Sequence, residues 1–391
     1  MLTQRPGRSG AQGAQAALPQ PNPARFGWLK EQPLFVLCLL QSRRWLTGWR
    51  QLMSAFVRFV LDQPVRLAMP LCTYPGAALI GASVRAMVTD AVTQTAAQLA
   101  LLQRYPGPVA LVSMDLSAEA EAFGCAVQLS DHEVPTVVGR CVSGRASVQA
   151  LPVPEPGAGR TGVYLEVAHR LKKRSGARFV LGSMVGPFSL AGRLYGVSES
   201  LTLTVEDPGL MHLLVQKATQ FLTAYARAFR AAGADGVLVA EPTAGLLSPR
   251  ALIEFSSAYI KQIVAAVDDG QFTVILHNCA ARPVHLAGVL QAGARVVHFG
   301  APMDLLAALD QAPPDVVVCG NLDPARVFVN STPTEVATAV QALLQATAGR
   351  RNFVLSSGCD VPPQTPVANL DAFYQAAAQA RGRAGCTAAA S

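Results

Sequence analysis

From residue 53 onward, short apolar runs alternate with longer stretches in which apolar residues recur every three or four positions. The runs are RLAMPLC (66–72), VALVSMDL (109–116), RFVLGSMVGPF (178–188), GVLVAEPTAG (236–245), TVILHNC (273–279), RVVHFG (295–300), DVVVCGNL (315–322) and NFVLSSG (352–358). They are short and apolar, and most are rich in β-branched residues, the signature of strands buried on both faces. Between them, helical spacing predicts helices over 54–63, 84–104 (stopped by Pro106), 162–174, 208–232, 249–268, 283–291, 303–310, 333–347 and 367–381. Strands alternating with helices imply parallel pairing through right-handed crossovers. Eight such units over this length predict an α/β fold of the (β/α)8 TIM-barrel type rather than an open doubly wound sheet. No glycine fingerprint follows the run 66–72, which argues against a dinucleotide-binding fold.

The beat breaks at 117–176. There AEAEAFGCAV reads as a short helix, DHEVPTVVG as an extended turn and 150–160 as a Pro/Gly-rich loop, so the stretch is expected to be an insertion after the second strand. Residues 1–25 are rich in Gly, Gln, Pro and Ala without a hydrophobic period. Residues 1–52 are therefore expected to be a disordered or mis-started extension, and 53–385 a single barrel domain. The run LFVLCLL (34–40) is too short to span a bilayer and meets Arg43 and Arg44 at once, so no membrane anchor is expected.

Composition narrows the class of partner. About half of the 391 residues are apolar, enough for a large core, and the net charge of +7 is spread without a block of five like charges. Aromatics are not interleaved with basic residues, so nucleic acid is not an expected partner. Arginine outnumbers lysine 27 to 5, as in GC-rich bacterial genomes, and eight irregularly spaced cysteines read as reduced thiols of a cytoplasmic protein. Nothing in the composition sets an oligomeric state.

Barrel enzymes carry their chemistry at the C-terminal ends of strands, and the polar residues of this chain cluster there. His277 and Cys279 are two apart at a strand end, so their side chains face the same way. With Cys359 at the end of the run 352–358 they would form a zinc site of three protein ligands and one open position, the arrangement of a catalytic rather than a structural site. Glu241 is either a helix-capping carboxylate or a catalytic group and fourth ligand. Asp115 either caps the following helix or takes part in catalysis. Asn321 and Asp323 in GNLDP either build a turn or contact substrate, and His298 is either a satisfied core histidine or a substrate contact.

At these residues the chain resembles the uroporphyrinogen decarboxylase superfamily, and within it the methylcobamide:thiol methyltransferase branch. The matching stretches are MDLSAEAEAFGCAV with PTV after it, GPFSLAG, HNC, HFG, CGNLDP and SSGCDVPPQTPVANLDAF, spread over about residues 53 to 381. GNLDP is shared widely; the H-x-C pair with the late G-C-x-x-P-x-x-T-P marks the zinc-bearing methyltransferases. Decarboxylases of this fold hold porphyrinogen carboxylates with an Arg-rich stretch after the first strand, whereas this chain reads AMPLCTYPGAALIG there, without an arginine. The resemblance implies a zinc-dependent methyltransferase that moves a methyl group from a methylated corrinoid to a thiol such as coenzyme M or homocysteine. The methylcorrinoid, a co-substrate, is expected on a partner corrinoid protein, since the chain has no D-x-H-x-x-G motif, and 117–176 is the expected docking surface. The alternatives are a metal-free decarboxylase and a non-catalytic barrel that binds a corrinoid protein.

Overall fold

A computed structural model describes residues 53–388, with side chains as far as residue 379. The extension 1–52, with its apolar run 34–40, lies outside the described residues. Among the described residues no helix is long and apolar enough to cross a membrane.

Seven parallel strands form one curled sheet in the order β1 (Val109–Leu111), β4 (Phe179–Val185), β5 (Gly236–Ala240), β6 (Thr273–Asn278), β7 (Val296–Phe299), β8 (Val317–Leu322) and β9 (Phe353–Ser357). Sequential strands are spatial neighbours throughout, as helix crossovers on one side of the sheet require. The remaining strands, β2 (Ala126–Gln128) and β3 (Thr136–Val138), pair only with each other, antiparallel. They lie within 117–176 together with helices Ala118–Ala122, Arg145–Ala150 and Thr161–Arg174, so the expected extended turn is one arm of a hairpin.

The run 66–72, expected as a full strand, pairs with β9 through one bridge, Ala68 to Leu355. Met69 N donates to Leu355 O at 2.8 Å and Leu355 N to Leu67 O at 3.0 Å. Beyond the bridge serine hydroxyls take the places of the next ladder bonds: Leu71 N donates to the Ser357 hydroxyl at 2.9 Å, and Met69 O accepts from the Ser356 hydroxyl at 2.7 Å. Two further differences have local causes. The expected helix 84–104 is two, Val84–Thr89 and Ala91–Arg104, because the Asp90 carboxylate accepts from Thr93 N at 2.7 Å and starts a new helix. Helices Pro187–Tyr195 and Val197–Glu206 lie where no helix was expected. The first is buried on nearly every side, which erases the amphipathic period that reveals a helix.

Period-two alternation divides the sheet into two faces. Leu111, Leu181, Leu238, Ile275, Val296, Val317 and Val354, one from each strand, meet with Leu67 and Met69 in one inner apolar cluster. Their neighbours Val180, Val237, Val274, Val297, Val318 and Leu355 join the larger cluster formed with the helices. Only a strongly curled sheet brings one residue from every strand into mutual contact.

Gly182 sits on the helix-facing side, where an added Cβ would lie 2.6 Å from the Phe229 ring. Gly182→Ala is therefore expected to destabilise the protein by about 1–3 kcal/mol. The added Phe229→Leu should recover part of that loss, as read by thermal unfolding of the single and double variants.

Candidate metal centre

His277 is two residues beyond Ile275 on β6 and so shares its inward direction. Register sets it beside Ala240 of β5 and directly opposite His298 of β7. The same alternation carries Cys279 to that side one step past the strand, while β9 ends two residues before Cys359. The result joins what sequence separates: ligand atoms of His277, Cys279 and Cys359 all lie within 4.8 Å of one another. Gly300 permits the approach of the loop after β7, since an added Cβ there would be 2.1 Å from the carbonyl oxygen of Cys279.

His277 is buried, and among the described residues its Nε2 has no nitrogen or oxygen hydrogen-bond partner, while its side chain interacts with the Cys359 thiol. Its other nitrogen, Nδ1, is 2.8 Å from Nδ1 of His298, whose Nε2 is 2.8 Å from the Ser356 hydroxyl. Burial, and then the neighbouring His277, hold the His298 pKa well below the ordinary imidazole value. The two thiols are hydrogen-bonded to each other. That bond pulls the Cys279 thiol down, and the same bond with burial pushes Cys359 up, against the opposing pull of His277. One unpartnered buried nitrogen and two sulfurs form a donor set suited to zinc, whose bonds of about 2.0–2.3 Å such a cluster can close with small side-chain rotations.

The remaining candidates lie elsewhere. Glu241, buried, accepts from Phe188 N at 2.8 Å, Ser189 N at 3.0 Å and the Ser256 hydroxyl at 3.0 Å. It thus caps helix Pro187–Tyr195, and burial raises its pKa against these bonds. Asn321 donates to the carbonyls of Gly300 at 3.1 Å and Met303 at 2.9 Å, and Asp323 accepts from Arg326 N at 2.8 Å. Both therefore shape the turns beside the trio.

Asp115 belongs to a buried polar cluster that sequence reasoning missed apart from Asp115 itself. It pairs with Arg160 and accepts from the Tyr164 hydroxyl at 2.6 Å and from Ser117 N at 2.9 Å. Arg160 also contacts Glu121 at 2.6 Å. Nearby, Glu119 is buried, with one oxygen accepting from Val185 N at 2.9 Å and the other without a partner. The acidic MDLSAEAEAFG stretch was the available signal; its cation, Arg160, lies in a Gly-rich loop with no periodicity to mark it.

The molecule is thus a parallel α/β protein whose strand ends gather a His/Cys/Cys trio close enough to share a metal ion. Residues 63–380 match the family model described as Uroporphyrinogen decarboxylase (URO-D), and the chain belongs to that family. It is 30% identical over 270 residues to the methylcobamide:CoM methyltransferase MtbA of Methanosarcina acetivorans, covering 68% of this chain and 78% of that one. The MtbA of Methanosarcina mazei is 31% identical over 271 residues, with the same shares. The uroporphyrinogen decarboxylase of Pseudomonas paraeruginosa is 26% identical over 286 residues, 70% of this chain and 79% of that one. A solved methyltransferase from Methanosarcina mazei shares the fold, with a TM-score of 0.73 at 20% identity, covering 82% of this chain and 96% of that one.

Burial pushes the Glu119 carboxyl up to about 8. A carboxyl whose folded pKa exceeds its unfolded value holds its proton more tightly when folded, so its contribution is full at low pH and is lost as pH rises through about 8. Between about pH 4.5 and 8 stability is expected to fall by up to about 1.4 kcal/mol per pH unit from this group. Glu119→Gln should flatten that part of a plot of thermal midpoint against pH.

Proposed function

We propose that this chain is a cytoplasmic, zinc-dependent methyltransferase that moves a methyl group from a methylated corrinoid to a small thiol such as coenzyme M or homocysteine. The observation that carries this reading is the unpartnered Nε2 of His277 gathered with the sulfurs of Cys279 and Cys359. The relatives at 30–31% identity bear the name methylcobamide:CoM methyltransferase, which agrees with it. We read residues 53–385 as one eight-stranded barrel, with the segment at Ala68 as the eighth strand and 117–176 as an insertion on which a corrinoid protein docks.

His277 would supply a neutral nitrogen and the two cysteines, as thiolates, would balance the charge of a dication. A zinc ion held there supplies one thing, a lowered pKa for the acceptor thiol, so that it stands as thiolate near neutral pH. The acceptor sulfur then takes the methyl group in line, forming a C–S bond while the electron pair of the broken Co–C bond stays with cobalt. Gly300 keeps the backbone of Cys279 close, and Asn321 pins the loop that carries Gly300. Glu241 would act on the trio by anchoring β6, since its backbone N–H donates to His277 O at 2.8 Å. Asp115 lies in a separate buried ionic cluster, where Arg160, Tyr164 and Ser117 occupy its carboxylate, so its part is to hold helix Thr161–Arg174 in place.

The decarboxylase reading needs no metal, which makes metal content the discriminating measurement. The purified chain is expected to hold about one zinc per trio. Cys359→Ser should weaken zinc by at least the roughly 10–100-fold that loss of an outer partner costs. Methylcobalamin with coenzyme M or homocysteine should give the cob(I)alamin spectrum under anaerobic conditions. A metal-free protein that decarboxylates uroporphyrinogen would overturn the proposal. Gly300→Ala touches no donor atom, yet it should lower zinc retention in a chelator competition, because the new methyl must displace Cys279.

A further inference from the structure

The hydrogen bonds behind His277 form a chain whose direction can be assigned atom by atom. It starts at the Met69 carbonyl oxygen, which can only accept. The Ser356 hydroxyl lies 2.7 Å from it and donates its one proton there. The Ser356 oxygen is thereby left as acceptor, so the contact at 2.8 Å from His298 Nε2 requires the proton on Nε2. His298 is fully buried and among the described residues no carboxylate is hydrogen-bonded to it, so a second proton would leave an uncompensated charge in the interior. Its Nδ1 is consequently bare and accepts. The 2.8 Å contact between the two Nδ1 atoms then needs the proton on His277 Nδ1. His277 is left with a lone pair on Nε2, the atom with no nitrogen or oxygen partner among the described residues.

We propose that His298 and Ser356 are positioning residues that hold His277 as its Nδ1–H tautomer, with the Nε2 lone pair turned to Cys279 and Cys359. The inference rests on the metal reading only for its purpose; the direction of the chain follows from the acceptor at its far end. Ordinary metal-binding histidines donate their second N–H to a carboxylate or carbonyl. Here the acceptor is another imidazole, which can itself be either donor or acceptor. Ser356, fixed by Met69, removes that freedom. Register places the participants: His277 and His298 are paired across β6 and β7, and Ser356 shares the inner face of β9 with Val354.

The test begins with the metal-free wild-type chain labelled with 15N-histidine, His277 being assigned by its loss in His277→Asn. Long-range proton–nitrogen correlations should show His277 protonated at Nδ1 and bare at Nε2. The reverse pattern overturns the proposal. In the second arm, zinc affinity is measured by chelator competition on Ser356→Ala, His298→Phe and Ser356→Thr, with thermal unfolding as the check on folding. The first two should bind zinc about 10–100-fold more weakly, and Ser356→Thr, which keeps the hydroxyl, should stay near wild type. Folded Ser356→Ala and His298→Phe with wild-type affinity would overturn the proposal. A wild type that takes up no zinc but shows the Nδ1–H tautomer would sink the methyl-transfer reading and leave the positioning chain standing. Zinc bound to a chain with the reverse tautomer would do the opposite.

Discussion

Inside a protein an unpaired polar atom is costly, and the buried Nε2 of His277 is such an atom. The neighbourhood shows no shortage of partners elsewhere. Glu241 accepts from two backbone N–H groups and a hydroxyl, Asp115 from a guanidinium, a phenol and a serine, and His298 is engaged at both nitrogens. Against that background one bare nitrogen beside two sulfurs is a specific feature. Much of the surrounding structure serves to place it.

The placement depends on curvature. A flat parallel sheet would leave His277 and Cys359 on strands three positions apart, since β7 and β8 lie between β6 and β9. With strands about 4.8 Å apart, that is too far for one cation. Curling turns the inner faces toward one another, and the single cluster of one residue per strand measures how far it goes. Glycines at the strand ends permit the final approach: the Cβ position of Gly300 falls against Cys279, and that of Gly358 lies 3.0 Å from Ala301 N. Functional geometry at the mouth thus rests on apolar packing deeper in the sheet.

Two buried polar systems flank the curl with different electrostatic characters. Around His277 lie a second imidazole, a serine hydroxyl and two thiols, with no lysine or arginine among them. Around Asp115 the cluster already holds its own cation, Arg160, shared between Asp115 and Glu121. The Asp115 cluster fixes helix Thr161–Arg174 against the loop after β1.

The sequence by itself determined the order of strands and helices, because buried strands must be short apolar runs and helices must repeat near 3.6 residues. It also determined which three residues could share an ion, since H-x-C at a strand end already points two ligands one way. It missed helix Pro187–Tyr195, whose all-round burial leaves no period, and it overran at 66–72, where the hydroxyls of Ser356 and Ser357 take the places of ladder bonds after one bridge. Which alternative held for each lone polar residue was open until packing was known. Glu241 became a cap because Gly186 leaves room for its carboxylate, and His298 met His277 because register aligned β6 with β7. Ser356 gave no signal at all: a serine in a strand becomes informative only when the sheet's curl brings its hydroxyl within reach of an imidazole. Local pattern fixes what each segment is, whereas contacts between residues remote in sequence exist only after the chain has closed on itself.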